Sequence, residues 1–342
     1  MKLSDRKRKI LQYVVDDYIS TAQPVSSKSI TQKYMKDISS ATIRSELAGL
    51  EEMGYLTQLH TSSGRVPSIE AYRLYVNELM DKSKLTSKEV ATIKNAFKDH
   101  ADNLETVVSS AVKVISELTG YTSVAHTTHS DKEKIVKLEI FRYKPTQALL
   151  LIVTENVLIK DKYIDIPENM SDSQIFEASK LISRVFTGKK IGEILKLGEE
   201  IAREFDTYRE IFDNVMNAIE EYIEKDKPKI LLEGEGKILD HSEYNTDSLK
   251  VKNFLSVVTS KEKLSALLAN SNDSIEISIK IGDANGEKMP DDCSIVTATY
   301  SKSGVDMGTY GVIGPLRMDY QKVVSVLEGV GKILEDIINK NK

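Results

Sequence analysis

The sequence predicts an α+β protein with two or three domains. At 342 residues, the chain is longer than one simple hydrophobic core requires. Apolar residues recur at helical spacing near the start of the chain, in a highly charged block at 171–226, and at the end. Apolar runs at 135–166 and 275–313 predict strands, so we expect one sheet that the helical block interrupts.

The composition is that of an ordinary folded protein, with 40% hydrophobic and 29% charged residues. Cys293 is the only cysteine, so we expect no intramolecular disulfide and a cytoplasmic location. The charged start of the chain does not resemble a signal peptide, and no apolar run is long enough to predict a membrane span. The net charge of −5 argues against a wholly basic nucleic-acid coat protein.

Positive charge is concentrated at the beginning of the chain. Between Lys2 and Arg44 there are nine Lys and Arg against four Asp and Glu, so the remainder is acidic. This distribution is typical of a small phosphate-binding module joined to a larger body. Charge alone leaves a solvated helix face as the alternative.

Three short helices are predicted before Gly54, which stands where the third helix needs a left-handed residue to end. Pro24 stops the first helix. The candidate N-caps are Ser4, Ser26 or Ser27, and Ser39 or Ser40. The residues expected to face inward are Ile10, Leu11, Val14, Val15, Tyr18, Ile19, Ile30, Tyr34, Ile43, Leu47, Leu50 and Met53.

A β-hairpin is predicted after the third helix. Residues 55–59 are extended, residues 60–65 form a polar loop, and Val66 begins the return. We expect Gly64 to turn the loop at a positive φ and Arg65 to project from its tip. Three short helices followed by such a hairpin predict a winged helix-turn-helix domain, whose third helix lies in the major groove of DNA.

The exposed side of the third helix carries the residues best suited to contact bases. Arg44 can read a guanine edge, and the short hydroxyl side chains around it let the helix approach closely. A surface salt bridge from Arg44 to Glu46 or Glu51 is the alternative. The residues predicted to contact DNA are Lys28, Ser40, Thr42, Arg44, Ser45, His60, Ser62, Ser63 and Arg65.

Two separated blocks carry a family pattern. The first contains SSATIR at 39–44 and HTSSGRVPS at 60–68, and the second is GVIGPLRM at 311–318. In this order they resemble the HrcA family of repressors, and the resemblance spans nearly the whole chain. Ser45 and Leu316 depart from the pattern, which has Asn and Thr at these positions.

The resemblance implies a dimeric repressor of chaperone operons that binds an inverted repeat in double-stranded DNA and depends on the chaperonin for its active form. It implies three domains, which we place at 1–84 (winged helix), 85–170 with 227–342 (linker helix and GAF-like α/β domain) and 171–226 (inserted helical dimerising domain). The alternative is a metabolite-responsive regulator whose GAF-like domain senses a small ligand.

A long helix is predicted from Thr86 to Leu118. Thr86 and Glu89 form a capping-box pattern, and apolar residues follow at heptad spacing. This seam can pack on a second helix, as in a dimer, or on its own domain. A helix of this length would hold the DNA-binding domain away from the body. The other candidate dimer surface is the apolar stripe of the charged block, formed by Ile175, Ile182 and Val185.

We find no catalytic constellation and expect neither enzyme activity nor a cofactor. Residues 234–237 are only a fragment of a phosphate-binding loop and fit a turn better. His126 and His129 lie close together without further ligands nearby in sequence, which disfavours a metal site. Cys293 follows two aspartates, which disfavour a reactive thiolate.

Overall fold

The computed structural model describes residues 3–58, 64–81, 83–98, 104–127, 133–155, 159–196, 202–225, 229–245, 247–268, 277–282, 290–302 and 305–340. Helices and strands occur together, as expected of an α+β protein. They form two compact units. The first comprises Met1–His126, Ile230–Ser301 and Asp306–Lys342, and the second comprises Thr127–Lys229 and Lys302–Val305. Within the described residues, no helix combines the length and apolar character needed to cross a membrane.

The first unit begins with three helices and a hairpin, which we call the head (residues 5–79). Serine side chains cap all three helices, at Ser4, Ser26 and Ser39, as predicted. Gly54 has the expected positive φ, 81°. The elements are α1 (Asp5–Thr21), α2 (Ser27–Lys33), α3 (Ser40–Glu52), β1 (Leu56–Thr57), β2 (Val66–Pro67), α4 (Ile69–Leu74) and one π-helical turn (Tyr75–Leu79).

The predicted inner faces of the head helices are mostly confirmed. The fully buried side chains include Ile10, Leu11, Val14, Val15, Ile30, Ile43 and Leu50. The prediction that Tyr34 faces inward is wrong, because this residue ends α2 and is 38% exposed. Its ring stacks on Tyr13 with the ring centroids 4.5 Å apart.

The predicted long helix at 86–118 is interrupted. The capping box at Thr86 is confirmed, but α5 (Ser87–Ala96) is followed by a separate helix, α6 (Leu104–Thr119). Both bury apolar side chains in the core of the first unit, against the C-terminal helix Tyr320–Lys340. The apolar side chains of these two helices are therefore covered by helices of the same chain. Of the two alternatives for the heptad seam, packing on its own domain is the correct one.

The head contacts the rest of the first unit directly. The Arg73 guanidinium donates to the Ile281 carbonyl at 2.9 Å, and the Gln321 amide donates to the Tyr75 hydroxyl at 2.8 Å. The expectation that a long helix holds this part of the chain away from the body is therefore wrong.

A five-stranded sheet lies in the remainder of the first unit. The further elements of the chain are β3 (Thr122–Thr127), β4 (Ile135–Lys144), β5 (Gln147–Thr154), β6 (Ile159–Asp165), α7 (Asp172–Phe186), α8 (Ile191–Lys196), a 3₁₀ helix (Arg203–Tyr208), α9 (Arg209–Lys225), β7 (Ile230–Glu233), a 3₁₀ helix (Glu235–Asp240), α10 (Ser242–Asn245), α11 (Ser248–Val258), α12 (Lys261–Leu268), β8 (Ser278–Ile281), β9 (Cys293–Lys302), β10 (Val305–Pro315) and α13 (Tyr320–Lys340). The sheet has the order β7-β3-β10-β9-β8. Strands β3 and β7 were not predicted from the sequence, because both are short and lack a clear alternating pattern.

The second unit has a sheet of its own. Strands β4, β5 and β6 are antiparallel neighbours, with Leu149 opposite both Phe141 and Tyr163. The expectation of one sheet split by helices is therefore wrong, since the strands at 135–166 belong with the helices of the charged block. This unit starts at Thr127, well before the expected boundary at 171.

The helices of the second unit cover one face of its sheet. Ile175 and Ile182 are at most 2% exposed and lie in this unit's own core. The stripe expected to form a dimer surface is therefore buried within the chain. The exposed large apolar side chains of the three strands are Val136, Phe141, Tyr143 and Tyr163.

Candidate nucleic-acid interface

A buried carboxylate positions α2 against α1. Asp17 is 5% exposed and accepts hydrogen bonds from the Lys33 ammonium at 2.5 Å and the Ser29 hydroxyl at 3.2 Å. The hydrogen bond to Asp17 raises the pKa of Lys33. Because a buried carboxylate needs its partners, this network fixes how α2, and α3 after it, are presented. Sequence reasoning missed Asp17, since an aspartate in a helix, here directly after Asp16, resembles a surface residue.

Arg44 lies on the exposed side of α3 with its guanidinium unpaired. Among the described residues no carboxylate lies within 4 Å of it. Of its two expected salt-bridge partners, Glu46 pairs with Lys7 at 2.8 Å and Glu51 pairs with Arg65 at 2.8 Å. The alternative of a surface salt bridge therefore does not hold, and the guanidinium is available to an external acceptor.

Two of the predicted base-reading hydroxyls make contacts inside the head. The Ser40 hydroxyl lies 3.0 Å from that of Ser27 and joins α3 to α2. The Thr42 hydroxyl lies 2.9 Å from that of the N-cap residue Ser39. Both side chains therefore hold the start of α3 in place. Ser45 is exposed beside Arg44, as predicted.

Small and basic residues surround this side of α3. Ala41, one turn before Arg44 and Ser45, is exposed, so the helix presents a shallow surface there. Lys28, in the first turn of α2, is exposed, as is Lys36 between α2 and α3. Neither has a carboxylate partner within the described part of the head. Sequence reasoning missed Ala41 and Lys36. The position of Lys36 in the turn between the two helices was a signal that this side chain would be exposed.

The base of the hairpin differs from its prediction. Arg65 does not project from a tip: its backbone pairs with Val25 through two 2.8 Å hydrogen bonds. Its side chain is 18% exposed and is paired with Glu51. Gly64 is not among the residues with positive φ. A Cβ at Gly64 would lie 2.5 Å from the Val25 carbonyl atoms, so glycine is required by this close backbone approach.

The loop between the two hairpin strands contains the remaining predicted contacts. His60, Ser62 and Ser63 lie outside the described residues, so their contacts with DNA stay predictions.

Cys293, Lys237 and His126 each make contacts within the fold. Burial raises the pKa of the Cys293 thiol to about 12, which makes it unreactive at neutral pH. Lys237 of the phosphate-loop fragment donates to the Ser116 carbonyl at 2.6 Å, within the first unit. The His126 ring lies 3.4 Å from the Ser265 hydroxyl, and His129 is outside the described residues. Across the described ranges no group of three metal-binding side chains comes together.

Comparisons with known proteins support a single family. A family model described as the HrcA protein C-terminal domain matches residues 105–324. The heat-inducible transcription repressor HrcA of Ruminiclostridium cellulolyticum is 38% identical, over 99% of this chain and 98% of that protein. The repressor of the same name from Acetivibrio thermocellus is 36% identical, over 96% of this chain and 94% of that protein.

One solved structure shares the fold over the full length of both chains. It is described as a hypothetical protein at 2.2 Å resolution, with a TM-score of 0.61 and 22% sequence identity. The named relatives are transcription repressors and not enzymes. From the matched model and from identities above 35% over nearly the whole length, the chain belongs to the HrcA family of heat-inducible transcription repressors.

Proposed function

We propose that the chain represses transcription by binding double-stranded DNA through the head, which acts as a winged helix-turn-helix domain with α3 in the major groove. The observation that carries this proposal is the unpaired Arg44 beside exposed Ala41 and Ser45. A guanidinium among small side chains can reach a guanine edge while the helix backbone approaches the bases. Lys28 and Lys36 then lie where phosphates flank the groove.

The operator is an inverted repeat upstream of heat-shock chaperone operons, and two copies of the chain bind it. One head covers too little DNA for operator-level specificity, so two related readers are needed. The remainder of the first unit, which contains the five-stranded sheet and which we call the body, is the GAF-like domain. The chaperonin supports the active form, and the site of action is cytoplasmic. The relatives named as heat-inducible repressors support this assignment.

Recovery of genomic DNA by the purified protein tests the proposal. We expect the bound fragments to be dominated by an inverted repeat ahead of chaperone genes, with much weaker enrichment by Arg44→Ala. Tyr13→Phe, which removes one hydroxyl from a half-buried side chain of α1 and leaves α3 unchanged, is the matched control. An unenriched, random set of fragments from the wild-type protein would reject the proposal. Added chaperonin should increase the fraction of the purified protein that binds DNA.

The second unit is the dimerising domain in this proposal. With the Ile175 stripe buried, an exposed apolar surface that can receive a second copy is the outer side of the sheet at Phe141, Tyr143 and Tyr163. The rings of Tyr143 and Tyr163 lie 4.9 Å apart and form a continuous patch. A second copy is the occupant we propose, because an inverted repeat requires a two-fold arrangement.

Excision of this unit tests the dimer. His126 and Ile230 are direct partners on the antiparallel strands β3 and β7, so a short Asn-Gly turn can replace residues 127–229. We expect a folded monomer that binds half-sites weakly. Phe141→Asp should also give a monomer, whereas Phe176→Asp, at an exposed position on α7, should not. A dimer of the excised variant in sedimentation at micromolar concentration would move the interface elsewhere.

A further inference from the structure

A cleft of about 320 Å³ lies between the head and the body within the first unit. Its head wall includes Tyr18 of α1 and Tyr72 of α4, and its body wall includes Lys250, Asp292 and Arg317. This volume is at the small end of the range of about 300–1,000 Å³ found for small-molecule sites. The cleft is therefore large enough for a small metabolite.

One charged pair in the cleft is already satisfied. The Arg317 guanidinium contacts the Glu243 carboxylate at 2.8 Å and donates to the Ile19 carbonyl at 3.3 Å. The positive and negative charges of this pair offset each other. The pair also joins the last turn of α1 to the body, so that the cleft walls are held together.

Two other polar groups of the cleft are not satisfied. The Tyr72 hydroxyl and one carboxylate oxygen of Asp292 are buried without a hydrogen-bond partner in the described structure. Tyr72 is 2% exposed, and burial raises its pKa well above the usual value, so the hydroxyl remains a donor. Lys250, which also lines the cleft, is partly exposed, and its ammonium has no carboxylate within 4 Å among the described residues. Buried polar groups are rarely left unpaired, since each costs about 1–3 kcal/mol.

We propose that this cleft binds a small zwitterion of the α-amino acid class. Its ammonium group would pair with Asp292, and its carboxylate would accept from the Tyr72 hydroxyl and pair with Lys250. The charges left over after the Arg317–Glu243 pair are one positive and one negative, which match a zwitterion and disfavour a simple anion or cation. Since the walls come from head and body, occupancy stabilises one placement of the head on the body; this consequence rests on the proposed DNA-binding function.

Calorimetry and thermal melting of the full chain test the site without DNA. Each standard L-amino acid is titrated separately at up to about 10 mM, a concentration that shifts the melting temperature for dissociation constants below this value. We expect at least one to bind. Tyr72→Phe and Asp292→Asn should weaken its binding roughly tenfold or more, since each removes a partner of a charged group. Tyr13→Phe and Asp291→Asn, which do not line the cleft, are the matched controls and should bind as the wild type does.

Two results would overturn the proposal: no amino acid binds, or binding persists unchanged in both cleft variants. The ligand-free melting temperature gives an independent check. Because the Tyr72 hydroxyl has no partner, Tyr72→Phe should melt at the same temperature as the wild type or higher. A lower value would mean that the fold already uses this hydroxyl, and the premise would fail. Since neither measurement involves DNA, failure of the proposed repressor function would not affect this outcome.

Discussion

Helix α3 and the base of the hairpin each present one arginine that the sequence predicts to contact DNA, and the two differ in their surroundings. Arg44 is exposed and has no carboxylate partner within the described residues. Arg65 is paired with Glu51 and anchored through its backbone to Val25. The same residue type at two plausible positions therefore has two roles, one directed outward and one within the fold.

The difference follows from which acidic side chains each arginine can reach. Glu51 lies on α3 next to the hairpin base, and Glu46 lies next to Lys7 of α1. Both carboxylates are taken up by tertiary partners, which leaves Arg44 without one. Proximity along the helix would have favoured a pair between Arg44 and one of them. Tertiary pairing, and not sequence spacing, decides which arginine is available.

Among the substitutions that distinguish the base of the hairpin from α3, the one at Gly64 should have the largest effect on stability. A Cβ there would meet the Val25 backbone at 2.5 Å, and backbone cannot move aside as a flexible side chain can. We expect Gly64→Ala to lower the free energy of unfolding by about 2–3 kcal/mol. Gly236→Ala, with nothing within 4 Å of the added Cβ, is the control and should be nearly neutral. Chemical denaturation measures both; equal stability of the two variants would contradict the close approach.

Removal of the Arg65 side chain should have an intermediate effect, and on stability. The pair with Glu51 is partly buried, with the two side chains 18% and 33% exposed. We expect Arg65→Ala to cost about 1 kcal/mol of unfolding free energy, and the double-mutant cycle with Glu51→Ala to recover a coupling of similar size. A coupling near zero would show that the pair contributes nothing to the hairpin base.

The smallest effect should appear in the salt dependence of DNA binding. Lys28 is exposed and unpaired in the described head. When the logarithm of the DNA-binding constant is plotted against the logarithm of salt concentration, Lys28→Ala should therefore reduce the slope by about the amount of one phosphate contact. Arg65→Ala should leave that slope unchanged, because Arg65 is already paired with Glu51. DNA-binding titrations of both variants at several salt concentrations measure the two slopes. A smaller slope for Arg65→Ala would show that Arg65 contacts a DNA phosphate.

Local signals in the sequence predicted much of the fold. The serine caps of α1 to α3, the capping box at Thr86 and the positive φ of Gly54 follow from the needs of the adjacent backbone. The helical character of 171–226 and the strands at 135–166 followed from periodicity. These features depend on neighbours within a few residues, which is why a single sequence is sufficient for them.

Features that depend on distant partners could not be predicted in this way. Heptad spacing continues from α5 into α6, but spacing does not reveal that α5 ends at Ala96 and that both helices pack on α13. Likewise, the strand pattern of β4 to β6 is the same whichever sheet contains them. The role of Gly64 depends on Val25, which is remote in sequence, so the sequence alone predicts a positive φ that the structure does not have.

The affinity of Arg44→Ala for operator and for random DNA, measured at one salt concentration, tests the central claim most directly. If α3 reads bases through Arg44, the variant loses about 1–3 kcal/mol on the operator and far less on random DNA. Lys28→Ala should instead weaken both to a similar extent. An equal loss on both DNAs for Arg44→Ala would mean that Arg44 contacts only phosphate, and would contradict the assignment of α3 as the base-reading helix.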